Sequence, residues 1–456
     1  MESINTLFEK QKNYYKQGKT RSIQHRLDAL EKLNDAIKKN EPRIIEALQK
    51  DLHKSEFESF MTEVGILYTE IEYVKKHLRK WMKPKRVKTP LTHIGSKSFI
   101  HPEPYGVALI IAPWNYPFQL ALAPLIGAIA AGNCAIIKPS ELTPHTSELI
   151  RHMVQETFNP DFLSVVEGGV ETSQSLLEKT FDYIFFTGSV PVGKIVMEQA
   201  AKHLTPVTLE LGGKSPAIVH EDADIKLSAK RIAWGKFINA GQTCVAPDYL
   251  YLHESIKEPF LKAFEQAIKE LYGKEPLNNT AYTHIVNEKH FNRLTAFLDN
   301  GKLRFGGKTD PNKKAIEPTV LTDIKWDDPI MADEIFGPIL PVLTFDELPD
   351  MIDEITNIPK PLALYLFTEN KAVQDKILAE ISFGGGCIND TIYHLASPYL
   401  PFGGVGNSGM GSYHGKSSFD TFSHHKSVLK QTTRFDIPIR YPNTKNGLKW
   451  VRRLLK

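Results

Sequence analysis

The segment FINAGQTCV, residues 237–245, ends a short polar loop on Cys244, with Gly241, Gln242 and Thr243 just before it. Small polar neighbours let a substrate reach a sulfur, whereas a packed structural cysteine sits among large aliphatic side chains. The loop therefore reads as the seat of a nucleophile. The chain has three cysteines in all. Cys134, in GNCAII at the start of a strand-like run, reads as core. Cys387, after three glycines in GGGCIND, sits in an equally open-looking loop, and residue type and spacing leave it a rival to Cys244.

Two carboxylates and an amide are placed to assist. Glu210 closes the strand-like run VTLE before a pair of glycines, and Glu334 lies in DEIFGP. A carboxylate at a strand end beside a glycine turn tends to face a cleft, where burial raises its pKa towards general-base use; a surface or capping role is the alternative for both. Asn115, within PWNYP, can offer its amide to a developing oxyanion or simply form a turn between prolines.

FFTGSVPVGK presents a strand, a turn opened by Gly188, and a helix beginning near Val192. Free N–H groups and the helix dipole make such a turn a phosphate site. Gly188 to Lys194 matches the spacing of a P-loop, yet Ile195 follows where an NTPase needs a hydroxyl for magnesium, so a dinucleotide pyrophosphate fits better. Gly404, Gly406 and Gly409 also match a GxGxxG pattern. They lack the strand before and helix after that would make them a Rossmann fingerprint.

Stepping outward, apolar positions at helical spacing from about residue 21 to 81, such as Leu27, Leu30, Leu33, Ile37 and Leu48, predict an N-terminal helical layer. Short apolar strands then alternate with helices, which implies a mostly parallel sheet covered by helices, with a boundary near residues 211–214 and a second α/β series beyond it. Residues 105–137 contain no Asp, Glu, Lys or Arg. Pro113, Pro117 and Pro124 break that stretch into strand, loop, helix and strand, so buried α/β layers explain it rather than a membrane helix. The tail GLKWVRRLLK is basic and amphipathic, able to rest weakly on an anionic membrane surface or to dock on its own chain.

With 456 residues, 56 basic against 53 acidic and three cysteines without a CxxC pair, the chain predicts a soluble cytoplasmic protein of two or three domains. Near-balanced charge argues against nucleic-acid binding, and the sparse cysteines against cysteine-rich zinc sites. No metal is expected.

Taken in order, PWNYP, KPSE, FFTGS, LELGGK, NAGQTC, EIFGP and PFGGVGNSGMG resemble the NAD(P)-dependent aldehyde dehydrogenase superfamily, and the short N-terminus resembles its class 3 branch. The resemblance spans nearly the whole chain. It implies an α/β fold: a Rossmann-like cofactor domain (1–88 and 105–211, with the helical layer), an α/β catalytic domain (212–418), a small β bridging element (89–104 and 419–434) that makes a homodimer, and a basic tail (435–456). By the same resemblance Cys244 is the nucleophile, Glu210 the general base and Asn115, with the Cys244 N–H, the oxyanion hole. Lys138 and Glu141 would hold the adenosine ribose, Gly188, Ser189 and Gly193 the pyrophosphate, and Glu334 and Phe336 the nicotinamide riboside. Glu141 favours NAD, with NADP also usable, and Glu334 is a competing base. Trp114, Tyr116, Tyr393 and Phe402 point to medium- or long-chain aliphatic or aromatic aldehydes as substrates. A CoA-acylating dehydrogenase and a non-catalytic dinucleotide-binding protein are the alternatives.

Overall fold

A computed structural model describes residues 3–455. The N-terminal layer is built from helices Ile4–Lys16, Ile23–Leu52 and Gly65–Trp81. Ser22 starts the long one by accepting the His25 N–H, and Leu30, Leu33, Ile37, Ile44 and Leu48 lie buried along it. That helix packs on helices Gln119–Ala131 and Pro144–Thr157, while Ile4–Lys16 rests on strands Val107–Ile111 and Cys134–Lys138.

The charge-free stretch is a strand, Val107–Ile111, a loop, the fully buried helix Gln119–Ala131 and a second strand, Cys134–Lys138. Among the described residues no helix is long and apolar enough to cross a membrane.

These strands belong to a six-stranded sheet in the order Gly409–Met410, Val207–Glu210, Tyr183–Thr187, Val107–Ile111, Cys134–Lys138, Leu163–Val165. The last five run parallel and the first antiparallel to its neighbour. After Leu163–Val165 the chain returns to the other side of Val107–Ile111. The crevice beyond the carboxyl ends of Val107–Ile111 and Tyr183–Thr187 is therefore a topological switch point, the place where open α/β sheets bind ligands. The loops carrying Asn115 and Gly188 leave from those two strands.

A seven-stranded sheet follows in the order Lys302–Phe305, Thr319–Thr322, Ile339–Phe345, Tyr249–His253, Pro216–Val219, Ala363–Phe367, Gly385–Ile388. It is parallel except at Lys302–Phe305. Cys244, Glu334 and Gly212 all precede its strands, so this sheet offers its amino edge to the site.

A third sheet pairs Lys85–Val87 with Ser96–Pro104 and the latter with Ser423–Gln431, in register from Ser423 opposite Pro104 to Gln431 opposite Ser96. Sequence pattern alone places Lys85–Val87 with the cofactor unit and Gly409–Met410 with the catalytic unit. In the fold the first joins the third sheet, and the second reaches back to pair with Glu210 and Leu209 in the first. Lys85–Val87 pairs with the next strand along the chain, whereas Gly409–Met410 is placed by the open edge beside Glu210.

Candidate active site

The Cys244 loop is held in an unusual backbone shape. Asn239, Ala240 and Gly241 have φ of +53°, +51° and +71°, the left-handed region that costs a side chain roughly 1 kcal/mol or more per residue. A side chain at Gly241 would meet the Gly337 carbonyl at 2.2 Å, so only glycine lets this loop lie against the turn carrying Glu334 and Phe336. Side chains from elsewhere enforce the shape. The Asn239 N–H donates to Glu58 (2.8 Å), and Gln242 donates to the Asn239 and His284 carbonyls (3.0 Å each) while accepting the Val286 N–H (3.0 Å).

Asn115 is tied to the same loop. Its side-chain amide donates to the Gln242 carbonyl (3.0 Å), and its own carbonyl accepts from the Asn239 amide (2.8 Å) and the Lys54 ammonium (3.4 Å). Lys54 is fully buried against an equally buried Glu63, 2.6 Å away, and lies 4.3 Å from the Tyr116 ring centroid. The other Glu63 oxygen accepts the N–H groups of Phe118 (2.9 Å) and Gln119 (3.1 Å), capping the helix that follows Asn115. Tyr116 closes the circuit through a 2.6 Å hydrogen bond to Thr243. Glu63 lies in a π-helical turn, Phe60–Val64, which turns Met61 and Thr62 towards the cavity beside Cys244.

The two candidate bases sit in different company. Glu210 is buried at the end of its strand, and neither carboxylate oxygen has a protein hydrogen-bond partner. Burial raises its pKa well above the carboxylate range. Glu334 is raised by burial and by Asp248, but it accepts the Gly213 N–H and feels Lys214 and Lys236. Its carboxylate lies where a side chain on Gly212 would stand, 1.9 Å from that position. Burial, then Glu334 and Glu210, pushes the Cys244 thiol up, while the N–H groups of Cys244 and Val245 oppose the shift. The thiol thus feels the charge of both carboxylates.

The other cysteines stand apart. Cys134 is fully buried, with its thiol pushed up to about 12 by burial. Cys387 lies on strand Gly385–Ile388, 3.5 Å from the His394 ring, and does not line the cavity with Cys244.

The expected cofactor residues collect along the carboxyl edge of the six-stranded sheet. Lys138, at a strand end, donates to Glu141 at 2.6 Å. Burial opposes ionisation of Glu141, yet the Lys138 bond and a backbone bond bring its carboxyl below the usual range. Helix Val190–Ala201 begins at Ser189, whose hydroxyl makes no capping bond, which leaves the first-turn N–H groups to an anion. The missing side chain of Gly193 lets the helix lie 2.6 Å from Leu211, measured from where a β-carbon would stand. Phe336, at φ +51°, packs edge-on to Trp114 with centroids 5.3 Å apart. This set fits a dinucleotide: an open helix N-terminus for pyrophosphate, with an ionised carboxylate at one end for ribose hydroxyls. Among the described residues no cluster of three or more His, Cys, Asp or Glu could hold a metal.

The cavity at Cys244 holds ≈ 190 Å³ and is mostly apolar, with Met61, Ile66, Leu120, Trp234, Ile238 and Phe402 in its wall. Tyr116 and Tyr393 line it as well, but Trp114 does not: its ring is taken up by Phe336 and His290. Lys54, Glu58 and Glu63 escape a sequence reading because charged residues in a helical pattern look like a solvated face.

The model of the aldehyde dehydrogenase family matches residues 1–428. The 4,4'-diaponeurosporen-aldehyde dehydrogenase of Staphylococcus aureus is 50% identical over the full length of both chains, and aldehyde dehydrogenase family 3 member B1 of Mus musculus is 44% identical over 97% of this chain and 95% of its own. A solved structure described as the substrate-bound state of Staphylococcus aureus AldH superposes with a TM-score of 0.98 at 49% identity, covering both chains completely. The chain belongs to the aldehyde dehydrogenase family, in its class 3-like branch, and is an oxidoreductase that oxidises aldehydes with NAD(P).

Two outcomes test the buried charges. Lys54→Met leaves Glu63 buried and unpaired and is expected to cost about 3–5 kcal/mol, whereas adding Glu63→Gln recovers most of it. An unshifted urea midpoint for the single variant would remove the pair from the account. Burial pushes Glu58 up from 4.5 to about 7, against the pull of Lys54 and of the Asn239 bond. A raised carboxyl stabilises the fold fully below the unfolded pKa and loses that contribution as pH climbs through the folded value, here about 3 kcal/mol in total. Between pH ~4.5 and ~7 the melting temperature of wild type should therefore fall relative to Glu58→Gln, and parallel curves would contradict the shift.

Proposed function

We propose that Cys244 is the nucleophile, Glu210 the base and Asn115, with the Cys244 N–H, the oxyanion hole of this aldehyde dehydrogenase. The observation that carries the choice of base is the buried Glu210 carboxylate with both oxygens unpartnered, in contrast to the engaged Glu334. The Cys244 thiolate, its proton released to solvent, attacks the aldehyde carbonyl carbon. The Asn115 amide, fixed through the Gln242 carbonyl, faces the oxygen that gains charge. The nicotinamide, when bound, supplies the hydride acceptor that converts thiohemiacetal to thioester. Glu210 then takes a proton from the water that attacks the thioester carbon, and carboxylic acid leaves.

Lys138 and Glu141 would hold the adenosine ribose, Gly188, Ser189 and Gly193 the pyrophosphate, and Glu334 and Phe336 the nicotinamide riboside. An ionised Glu141 bonds a 2′-hydroxyl and repels a 2′-phosphate, which favours NAD; its neighbour Lys138 leaves NADP usable. The apolar lining of the cavity suits medium- or long-chain aliphatic or aromatic aldehydes, in keeping with the large aldehyde named in the Staphylococcus aureus relative.

Assembly and location follow from the surface. Strand Ser423–Gln431 pairs on one side only, with Val428 and Leu429 38% and 49% exposed, an edge that a second copy of the chain would cover to give the homodimer. The sheet of residues 85–87, 96–104 and 423–431 is then the bridging element between the dinucleotide-binding and catalytic units. Helix Gly447–Leu454 exposes Leu448, Trp450 and Leu454 beside Lys449, Arg452 and Arg453, supporting weak contact with an anionic membrane. Three free thiols accord with the cytoplasm.

NADH or NADPH formation across an aldehyde panel without CoA checks the chemistry. Cys244→Ala should abolish it, and Glu210→Gln should keep a pre-steady-state burst while losing steady turnover; deacylation lost in Glu334→Gln alone would reverse the assignment of the base. For the surface, light scattering should give a dimer, and anionic vesicles should retain the protein in low salt only. A stable monomer, or equal retention by neutral vesicles, would count against these assignments.

A further inference from the structure

A cavity of ≈ 210 Å³ lies beside the one at Cys244 and shares part of its wall, but no group of the proposed mechanism lines it. Helices Gly65–Trp81 and Gln119–Ala131 and residues 395–398 enclose it, and Met61, Ile66, Ala123, Leu395, Ala396 and Pro398 make its wall largely apolar. The volume far exceeds what one water needs.

Glu70 is the one carboxylate in that wall, and it is 7% exposed. Its Oε1 accepts the Gly415 N–H at 2.7 Å, whereas its Oε2 bonds no protein group and yet is not sealed from solvent. The first bond is firmly placed. Gly415 stands at φ +52°, and a side chain there would meet the Pro398 carbonyl oxygen at 2.0 Å. Oε2 is therefore the atom that Glu70 offers to the cavity.

Nothing in the chain balances its charge. Among the described residues no lysine or arginine pairs with Glu70, and burial carries its pKa up to about 7 against the pull of the Gly415 N–H. His414, in the same wall, is held neutral by burial, with its pKa down to about 4. The Gly415 bond needs only an acceptor, which a glutamine would provide as well. A second oxygen that carries charge and reaches a cavity is surplus to that bond, and burying it is costly.

An apolar enclosure with a single reachable carboxylate suits a cation that brings its own hydrocarbon: the charged head supplies donors and the chain covers the wall. We propose that this cavity is a binding site for a small primary alkylammonium ion, whose ammonium group donates to Glu70 Oε2 while its chain lies against Met61, Ile66 and Ala123. The site is separate from the one at Cys244 and does not depend on the roles given to Cys244, Glu210 and Asn115.

Calorimetric titration of the full-length protein with n-butylammonium and with n-butanol tests this, at pH ~8, where Glu70 is ionised and the amine protonated. Wild type should bind the ammonium at least about tenfold more tightly than the alcohol, as a charge-assisted hydrogen bond warrants. Glu70→Gln keeps an acceptor for Gly415 and should bring the two affinities together. Glu210→Gln should leave the preference intact, because the carboxylates at Cys244 take no part. Ala123→Leu narrows the cavity without touching the carboxylate and should weaken n-butylammonium at least about tenfold, a reading that stands even where Glu70→Gln does not fold. Equal affinities in wild type, no binding of n-butylammonium, a preference that survives Glu70→Gln, or an affinity untouched by Ala123→Leu would overturn the proposal. Loss of the preference in Glu210→Gln would put the cation in the Cys244 cavity and overturn it equally.

Discussion

The site depends on charges that have been taken out of water. Lys54, Glu58 and Glu63 come from one short stretch between two N-terminal helices, yet they reach both halves of the catalytic centre: Glu63 caps the helix after Asn115, Lys54 bonds the Asn115 carbonyl, and Glu58 bonds the Asn239 N–H. Burying ions is expensive, and a buried pair is poor evidence of net stability. What it supplies here is geometry. Each charge bonds groups on more than one segment, so the loop from the six-stranded sheet and the loop from the seven-stranded sheet are held in a single relation. An apolar cluster of equal volume would pack as tightly and tolerate a shift between the loops. In the proposed role, a displaced Asn115 amide would no longer face the oxyanion, where its worth depends on position.

Within the chamber those charges frame, partnering divides the labour. Cys244, Glu210 and Glu334 are all pushed towards their neutral forms by burial, with Asp248 adding to the shift of Glu334 and the two carboxylates adding to that of Cys244. They cannot all ionise together. Glu334 has a backbone N–H and two lysines in its surroundings, one of which, Lys236, is itself pushed down to about 8 by burial. Under the proposed roles Glu210, with no hydrogen-bond partner, retains its full capacity for a proton from water. Two carboxylates with unlike environments are how one site separates binding from acid–base work at neutral pH.

How far this was legible in the sequence follows from what each residue does. Cys244, Asn115, Gly188 and Glu210 stand at turns, and turns carry local signals: glycine where backbone must approach closely, proline where a helix must not start, a polar residue where a strand ends. Residue type could not separate Cys244 from Cys387, because both follow glycine-rich loops. The fold separates them by putting Cys387 on a strand away from the cavity. Lys54 and Glu63 were invisible, since a charge pair inside a helical pattern is usually a wetted surface, and only the packing of the Asn115 loop on top of them makes it otherwise. Trp114 was misread as a wall of the substrate cavity for the opposite reason: an aromatic beside a catalytic loop can face either way, and here Phe336 takes it. Five strands of the six-stranded sheet show in their apolar runs, as do Tyr249–His253, Ile339–Phe345 and Ala363–Phe367 of the seven-stranded one; Pro216–Val219 and Thr319–Thr322 are too short to stand out, and Gly409–Met410 owes its place to the open edge beside Glu210.

The left-handed run at residues 239–241 is the consequence of joining two α/β sheets by unlike edges. The six-stranded sheet presents the carboxyl ends of its strands, where loops open naturally towards a ligand. The seven-stranded sheet presents amino ends, and Cys244 must be reached from helix Ile225–Phe237 just before the chain enters strand Tyr249–His253. A helix that simply unwound into that strand would have no residue to spare for projecting a sulfur across to Asn115. Three residues at positive φ reverse the chain tightly enough to do it, and glycine at the third lets the Phe336–Gly337 turn close over the loop. The strain is sustained because Glu58, Gln242 and Asn239 bond the Asn239 N–H, the Asn239 carbonyl and the Gln242 carbonyl at the two ends of the reversal. Cost and constraint are therefore the same feature: the loop that is hardest to form is the one whose shape the buried carboxylate, the amide ladder and the close glycine contact leave no freedom to change.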